Sequence, residues 1–230
     1  MTSQTMQKTL KAHVDFFTAH AEQFRLWLPL WRLLAEGTPV SLEQLASLSH
    51  RPLDEIQAEL PSLDVRLDRE GNVLASGLSL LPTAHQFHLG EQALFTWCAL
   101  DTLAFPPLLG RAARVISSCP VTGKTIRLTV TPETIVDLEP GSAVVSVHLP
   151  GEETDICNVQ EDICNDGHFF VSHSVASTQG SLHPKAVLLS VEEAAELGRV
   201  LASAIRSIAG EQEPQDTASP ADQMKKTRSS

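Results

Sequence analysis

A cysteine and an aspartate, Cys98 and Asp101, lie three positions apart in the apolar stretch FTWCALDTLAF at residues 95–105. If this stretch is a helix, the two side chains project next to each other from one face. Apolar neighbours would remove water from the Asp101 carboxyl and raise its pKa, so that it could hold a proton near neutral pH. A carboxyl that takes a proton from a thiol and later returns one is suited to acid–base catalysis.

The same pair also fits a purely structural role. Free cysteine is among the residue types most often buried, and an aspartate inside a helix can bond to the backbone or to a nearby arginine such as Arg111 or Arg114. A catalytic interpretation therefore needs a second reactive group.

The acidic, loop-like stretch DICNVQEDICNDGHFF at residues 155–170 offers further thiols, Cys157 and Cys164. From this stretch Cys164 could reach the helix that carries Cys98, a contact that sequence alone does not show. Two thiolates from separate elements suit a soft metal ion, whereas structural zinc sites usually have closely spaced ligand pairs, and no CxxC is present. Cys119, in CPVTG, is interpreted as a buried structural thiol.

Charge and hydropathy exclude several classes of partner. The formal net charge is -11, and residues 128–184 contain nine acidic residues and no Lys or Arg, a pattern that repels nucleic acid and anionic lipid. The sequence shows no signal-peptide h-region and no apolar run long enough to span a membrane. We expect a cytoplasmic protein with reduced cysteines, without a nucleic-acid or membrane partner.

The elements that must position these groups fall into three parts. Residues 1–76 predict a winged-helix-like domain: amphipathic helices over 5–36, a helix capped by Ser41, a helix beginning at Pro52, and a hairpin over 64–76. The helix after Pro52 carries acidic residues and no Lys or Arg, so we expect it not to enter a DNA groove.

Residues 77–210 predict an α+β catalytic domain with a mixed, mostly antiparallel sheet. Strands are expected at 113–118, 125–130, 143–149, 168–173 and 185–190. They lie between an apolar helix ended by Pro106 and Pro107 and a helix capped by Ser190. The polar residues 211–230 predict a disordered tail.

Three segments together resemble the alkylmercury lyases, or organomercurial lyases, of bacterial mercury resistance. They are WCALDTLAFPPLLGRAARV at 97–115, SSCPVTG at 117–123, and a cysteine four residues before HFF. The resemblance extends over residues 24–206. It implies a winged-helix-like domain joined to a catalytic domain peculiar to the family, and protonolysis of the carbon–mercury bond: R–Hg(+) and a proton give R–H and Hg(2+).

The resemblance also implies the roles of individual residues. Cys98 and Cys164 would be the thiols that bind mercury, and Asp101, in contact with the same metal, would carry the proton. It implies no cofactor, a need for excess small thiol to release the product, and transfer of Hg(2+) to small thiols or to a mercuric reductase. Trp97 would line the substrate pocket or belong to the core.

One departure from the family, the role of Cys157 and two alternative functions stay open. Asn165 follows Cys164, where some relatives have a further cysteine, and Cys157 could replace Cys164, relay the product or have no role. The chain could instead be a non-catalytic carrier of mercury or copper that uses Cys98, Cys164 and His168. It could also be a metal-responsive regulator that binds DNA, although the acidic helix argues against this.

Overall fold

The computed structural model describes residues 4–178, 182–183 and 185–211 of the 230-residue chain. The predicted tail lies outside the described residues apart from Glu211. The helices are α1 Gln4–Ala19, α2 Ala21–Leu34, α3 Leu42–Ser49, α4 Leu53–Glu59, α5 Ala99–Leu109, α6 His173–Ala176 and α7 Val191–Ile208. The strands are β1 Arg66–Leu67, β2 Val73–Ser76, β3 Leu78–Ser79, β4 His85–Leu89, β5 Gln92–Thr96, β6 Ala113–Ser118, β7 Thr125–Val130, β8 Ile135–Glu139, β9 Val144–His148, β10 Phe169–Phe170 and β11 Ala186–Ser190.

The strands form two antiparallel sheets. An eight-stranded sheet has the order β1-β2-β3-β5-β4-β6-β7-β8, and a three-stranded sheet has the order β10-β9-β11. The paired strands of both sheets run antiparallel. Together with the helices they confirm the α+β class and the mostly antiparallel sheet.

Among the N-terminal helices, α3 begins at a side-chain cap. Ser41 caps α3 through a reciprocal pair of hydrogen bonds with Gln44, as its position predicted. Pro52 is the N-cap residue of α4, one position before the first helical residue. The predicted hairpin forms as β1 and β2, and β2 pairs with β3, so the hairpin continues into the large sheet. The winged-helix assignment and the domain boundary after residue 76 stay predictions.

The apolar helix predicted before Pro106, over residues 91–105, is wrong at both ends. Gln92–Thr96 forms strand β5 because it pairs with β4 along one edge and with β3 along the other. The helix α5 begins at Ala99 and continues through Pro106 and Pro107 to Leu109. Gly110, at a φ of 66°, then ends it in the left-handed conformation that glycine favours.

The other strand predictions differ mainly in length and number. Strands β6 and β7 have the predicted bounds, and β9 and β11 lie within theirs. The strand predicted over 168–173 ends at Phe170, because the Ser172 side chain accepts a hydrogen bond from Val175 and caps α6. The prediction missed β3, β4, β5 and β8.

A single group of buried apolar residues extends from α1 to α7. Helix α5 lies at its centre, where it packs against α7 and against strands of both sheets. Gly198 of α7 allows this approach, since a Cβ there would lie 2.7 Å from the carbonyl oxygen of Leu103. In the parts of the chain that are described, every helix is too short or too polar to cross a membrane.

Candidate active site

Cys98 is the N-cap residue of α5 and does not lie within the helix. Its Sγ accepts a hydrogen bond from the main-chain N–H of Asp101 at 3.4 Å, and its own N–H donates to Oδ2 of Asp101 at 3.2 Å. This is a capping box with cysteine in place of the usual serine or threonine. The predicted pairing of thiol and carboxyl is therefore present, but a helix cap creates it and not a shared helix face.

The cap also sets the electrostatics of the pair. Cys98 is the N-cap of α5 and Asp101 belongs to its first turn, so both lie at the positive end of the α5 dipole. Such a position favours the ionised form of a thiol or a carboxyl. The N-terminus of α5 can therefore stabilise negative charge on either side chain while a proton moves between them.

The backbone around Cys98 is held by hydrogen bonds to neighbouring segments. The N–H of Ala99 donates to the carbonyl of Gly167 at 2.8 Å, and the N–H of Trp97 donates to that of Gly77 at 2.8 Å. The hydroxyl of Thr96 donates to the carbonyl of Cys98 at 2.9 Å. The thiol is thus fixed between β5, the turn before β3, and the segment that follows Cys164.

Cys164 is the last residue of a π-helical turn, Gln160–Cys164. The N–H of Asn165 donates to the carbonyl of Gln160 at 2.8 Å, five residues back, and closes the wide turn. Single π-helical turns are rare and are often found at functional sites.

Gly167 allows this segment to reach the N-terminus of α5. A Cβ on Gly167 would lie 2.7 Å from Cβ of Cys98 and 3.5 Å from its Sγ. With no side chain there, the sulfur atoms of Cys98 and Cys164 and a carboxylate oxygen of Asp101 all lie within 4.8 Å of one another. The structure thus brings together the three residues that the sequence singled out.

Burial controls the protonation of the carboxyl. Loss of water around Asp101 raises its pKa to about 6, against hydrogen bonds from the Cys98 thiol and from main-chain N–H groups that lower it. Asp101 can therefore exchange a proton near neutral pH.

The two thiols are buried and lie within 4.8 Å of each other. Interaction with Cys164 lowers the pKa of Cys98, but burial and the nearby Asp101 charge outweigh it, so the pKa of Cys98 is raised. Interaction with Cys98, followed by burial, raises the pKa of Cys164 well above its usual value. Of the two thiols, Cys98 lies at the N-terminus of α5, a position that favours its thiolate.

An apolar cleft opens beside these three residues. Its cavity volume is about 100 Å³, and Trp97 is part of its wall. Aromatic side chains from α1 and α2 also line it: Phe16, Phe17, Phe24, Trp27 and Trp31. Such a lining accepts a hydrocarbon group and excludes water from it.

Other residues considered from the sequence lie apart from this group. His168 stacks on His85 with 6.1 Å between ring centroids, and Cys157 lies partly buried in a short 3-10 turn, Ile156–Asn158. Arg111 pairs with Glu36 and not with Asp101. Among the described residues, none of these belongs to the Cys98, Asp101 and Cys164 group.

Two residues near the site were not predicted. Asp64 is buried; its Oδ2 accepts the N–H of Gln160 at 2.7 Å and its Oδ1 accepts a hydrogen bond from Arg66 at 2.7 Å. It thereby anchors the start of the turn that carries Cys164. His13 of α1 lines the cleft, and burial lowers its pKa to about 4, so its ring is neutral at neutral pH. The only sequence signal for Asp64 was its position between two apolar residues, Leu63 and Val65, and no sequence pattern marked His13.

Comparisons with known proteins agree on one family. A model of the alkylmercury lyase family matches residues 78–203. The alkylmercury lyase of Staphylococcus epidermidis is 45% identical over 177 residues, which cover 76% of this chain and 81% of that protein. The alkylmercury lyase of Streptomyces lividans is 40% identical over 208 residues, which cover 89% of this chain and 95% of that protein.

A solved structure shares the fold. The crystal structure of the mercury-bound form of MerB2 matches with a TM-score of 0.71 and 23% identity, and the match covers 86% of this chain and 98% of that one. At this identity the match establishes the architecture and nothing finer.

Proposed function

Since the chain belongs to the alkylmercury lyase family and cleaves the carbon–mercury bond of organomercurials, we propose that Cys98, Cys164 and Asp101 carry out this cleavage. One observation carries the assignment: two thiols and a carboxyl lie within 4.8 Å of one another beside an apolar cleft. Sulfur ligands select soft metals, and the carboxyl, with a pKa of about 6, can accept and donate a proton.

The first step is capture of R–Hg(+) by Cys98. Cys98 is the N-cap residue of α5, and the N-terminus of this helix stabilises its thiolate. The Cys98 sulfur–mercury bond forms, and the thiol proton leaves to solvent with the displaced ligand. The hydrocarbon group R occupies the cleft.

The second step joins Cys164 to the metal and loads the acid. Mercury bound next to the Cys164 sulfur favours its thiolate, and the released proton passes to the ionised Asp101 carboxylate. Mercury now has two sulfur ligands and the carbon, and the added electron density weakens the carbon–mercury bond.

The third step is protonolysis. Asp101 donates its proton to the carbon as the carbon–mercury bond breaks, so that R–H leaves and Hg(2+) stays bound to two thiolates. Asp101 returns to its ionised form. One proton has entered the hydrocarbon and one has gone to solvent, which balances the two protons that the thiols supplied.

Release of the product requires thiols from outside the protein. Two buried thiolates bind Hg(2+) tightly, and ligand exchange with small thiols is the direct route by which it leaves. We propose that small thiols, and through them a mercuric reductase, receive the metal. We also propose a cytoplasmic location, where small thiols are abundant and cysteines such as the four free ones of this chain stay reduced.

The test is hydrocarbon release from methylmercury with excess thiol, measured by headspace gas chromatography. Wild type should release methane over many turnovers. Cys98→Ala, Cys164→Ala and Asp101→Ala should lose at least about a hundredfold in rate, whereas Cys157→Ala, the matched control, should retain the wild-type rate.

Two outcomes would contradict the assignment. Loss of activity in Cys157→Ala with retention in Cys164→Ala would move the second thiol to Cys157. Tight mercury binding by the wild type without methane would support a non-catalytic carrier. Circular dichroism of each variant separates loss of chemistry from loss of folding.

A further inference from the structure

A second cluster of metal-ligating side chains lies close to the thiol site but outside it. It consists of His148 at the end of β9, Asp166 two residues after Cys164, and His183 before β11. One ligand atom from each residue lies within 4.8 Å of the others. Nδ1 of His148 is 3.8 Å from Oδ2 of Asp166, and the rings of His148 and His183 stack at 4.5 Å between centroids.

The buried Nδ1 of His148 lacks a hydrogen-bond partner among the residues that the structure describes. His148 is only 9% exposed, and its Nδ1 makes no hydrogen bond to the described residues. Buried polar atoms are nearly always satisfied, so an unpaired ring nitrogen that faces a carboxylate calls for a ligand. A cation between His148 and Asp166 would satisfy it.

The charges around the cluster favour a cation. Asp166 and Asp162 both act on His148, and residues 128–184 supply acidic side chains without any Lys or Arg. The nearest positive group that acts on His148, Lys185, is paired with Glu153. Burial and the neighbouring His183 lower the pKa of His148, so its ring is neutral at neutral pH, the form that binds metals.

We propose that His148, Asp166 and His183 form a second metal site, which takes a borderline divalent cation such as Zn2+. Two imidazoles and a carboxylate suit zinc and similar metals, whereas the absence of sulfur from this cluster makes it a poor match for mercury. Zinc bonds of about 2.0–2.2 Å require the three ligand atoms to close in on the ion. A fourth position stays open to water.

A metal ion at this site would stabilise the position of the segment that carries Cys164. Asp166 precedes Gly167, whose carbonyl accepts the N–H of Ala99 at the start of α5. A metal ion would tie this segment to the end of β9 and to the residues before β11. It would therefore hold in place the segment that carries Cys164, without touching the substrate.

The experiment is calorimetric titration of the full chain with Zn2+ after the thiol site has been filled with one equivalent of Hg(2+). Prior filling prevents Cys98 and Cys164 from binding the zinc. We expect one equivalent of zinc to bind, and we expect His183→Ala and Asp166→Asn each to weaken binding by about tenfold or more. His173→Ala, an exposed histidine outside the cluster, is the matched control and should bind like the wild type.

The Asp166→Asn variant separates loss of the metal site from loss of folding. Asp166 is 42% exposed in its side chain, and asparagine has the same shape, so circular dichroism of this variant should match the wild type. Co2+ bound in place of zinc should lack the absorption that thiolate ligands produce. No zinc binding by the mercury-filled chain, or unchanged affinity in both variants, would overturn the proposal.

Discussion

At the scale of single residues, Asp101 both caps α5 and lies buried, and these two features shift its pKa in opposite directions. As the third residue of α5 it accepts the N–H of Cys98, which favours the ionised form, while burial raises its pKa to about 6. The balance leaves a carboxyl that is mostly ionised at neutral pH yet able to hold a proton when a thiolate forms nearby. A carboxyl on the protein surface would have too low a pKa for this exchange.

The raised pKa predicts how stability depends on pH. The folded protein binds the Asp101 proton more tightly than the unfolded chain, whose ordinary pKa is 3.8. The contribution of Asp101 to the free energy of unfolding is therefore largest below about pH 4 and is lost as pH rises to about 6, a change of up to about 3 kcal/mol.

Urea unfolding of wild type and Asp101→Asn between pH 4 and 7 measures this contribution. Asparagine can still accept the hydrogen bond of the cap but does not titrate. The stability of the wild type relative to the variant should fall across this range. A difference that is constant with pH, or that grows as pH rises, would show that the folded-state pKa is not raised.

At the scale of elements, the site depends on how closely the Cys164 segment approaches the cap of α5. Gly167 makes this contact. Its φ is not in the left-handed region, so a side chain at this position would be disfavoured only by the atoms close to its Cα. An added methyl group would meet Cβ of Cys98 at 2.7 Å and the carbonyl oxygen of Cys164 at 3.2 Å. Both atoms belong to the residues that we propose bind mercury.

Gly167→Ala should therefore push the two thiols apart. We expect a loss of about 1–3 kcal/mol in the free energy of unfolding and a lower rate of methane release. Gly141→Ala is the matched control, since no atom lies within 4 Å of its added Cβ and its φ is not left-handed. Thermal unfolding and gas chromatography of both variants check this, and equal behaviour of the two would contradict it.

The same elements show what the sequence could and could not predict. Residue type and spacing paired Cys98 with Asp101, because a thiol and a carboxyl in apolar surroundings limit the possible chemistry, whereas the choice of Cys164 over Cys157 depended on the resemblance to the family. The local geometry was not predictable, since pairing with β3 and β4 turns residues 92–96 into a strand and moves the helix start to Ala99.

Contacts between distant parts of the chain explain the remaining misses. Asp64 acts on Gln160, 96 positions away, and no local pattern marks an aspartate for such a contact. The capping residues Ser41 and Ser190 were found correctly because a cap depends only on its own few neighbours.

At the scale of the whole molecule, the substrate cleft depends on both halves of the chain. Helices α1 and α2 contribute the aromatic wall, while the reactive residues lie at the start of α5 and in the π-helical turn. The N-terminal helices pack against α7 and share one buried core with the sheets. We therefore expect the N-terminal part to help bind the hydrocarbon group of the substrate as well as to complete the fold.

This arrangement predicts that the aromatic wall discriminates by the size of the hydrocarbon. Phe17 lines the cleft from α1 and is only partly buried, so its removal should enlarge the cleft with little disturbance of the core. A phenyl group buries more apolar area against that wall than a methyl group does. Losing about 1.4 kcal/mol of this contact should raise KM for phenylmercury roughly tenfold in Phe17→Ala, with a much smaller rise for methylmercury and little change in kcat.

Benzene and methane release measured by gas chromatography provide both sets of constants. The control is Leu48→Ala, which removes an exposed leucine that lies outside the cleft. Equal changes for the two substrates would mean that the N-terminal helices do not contact the hydrocarbon.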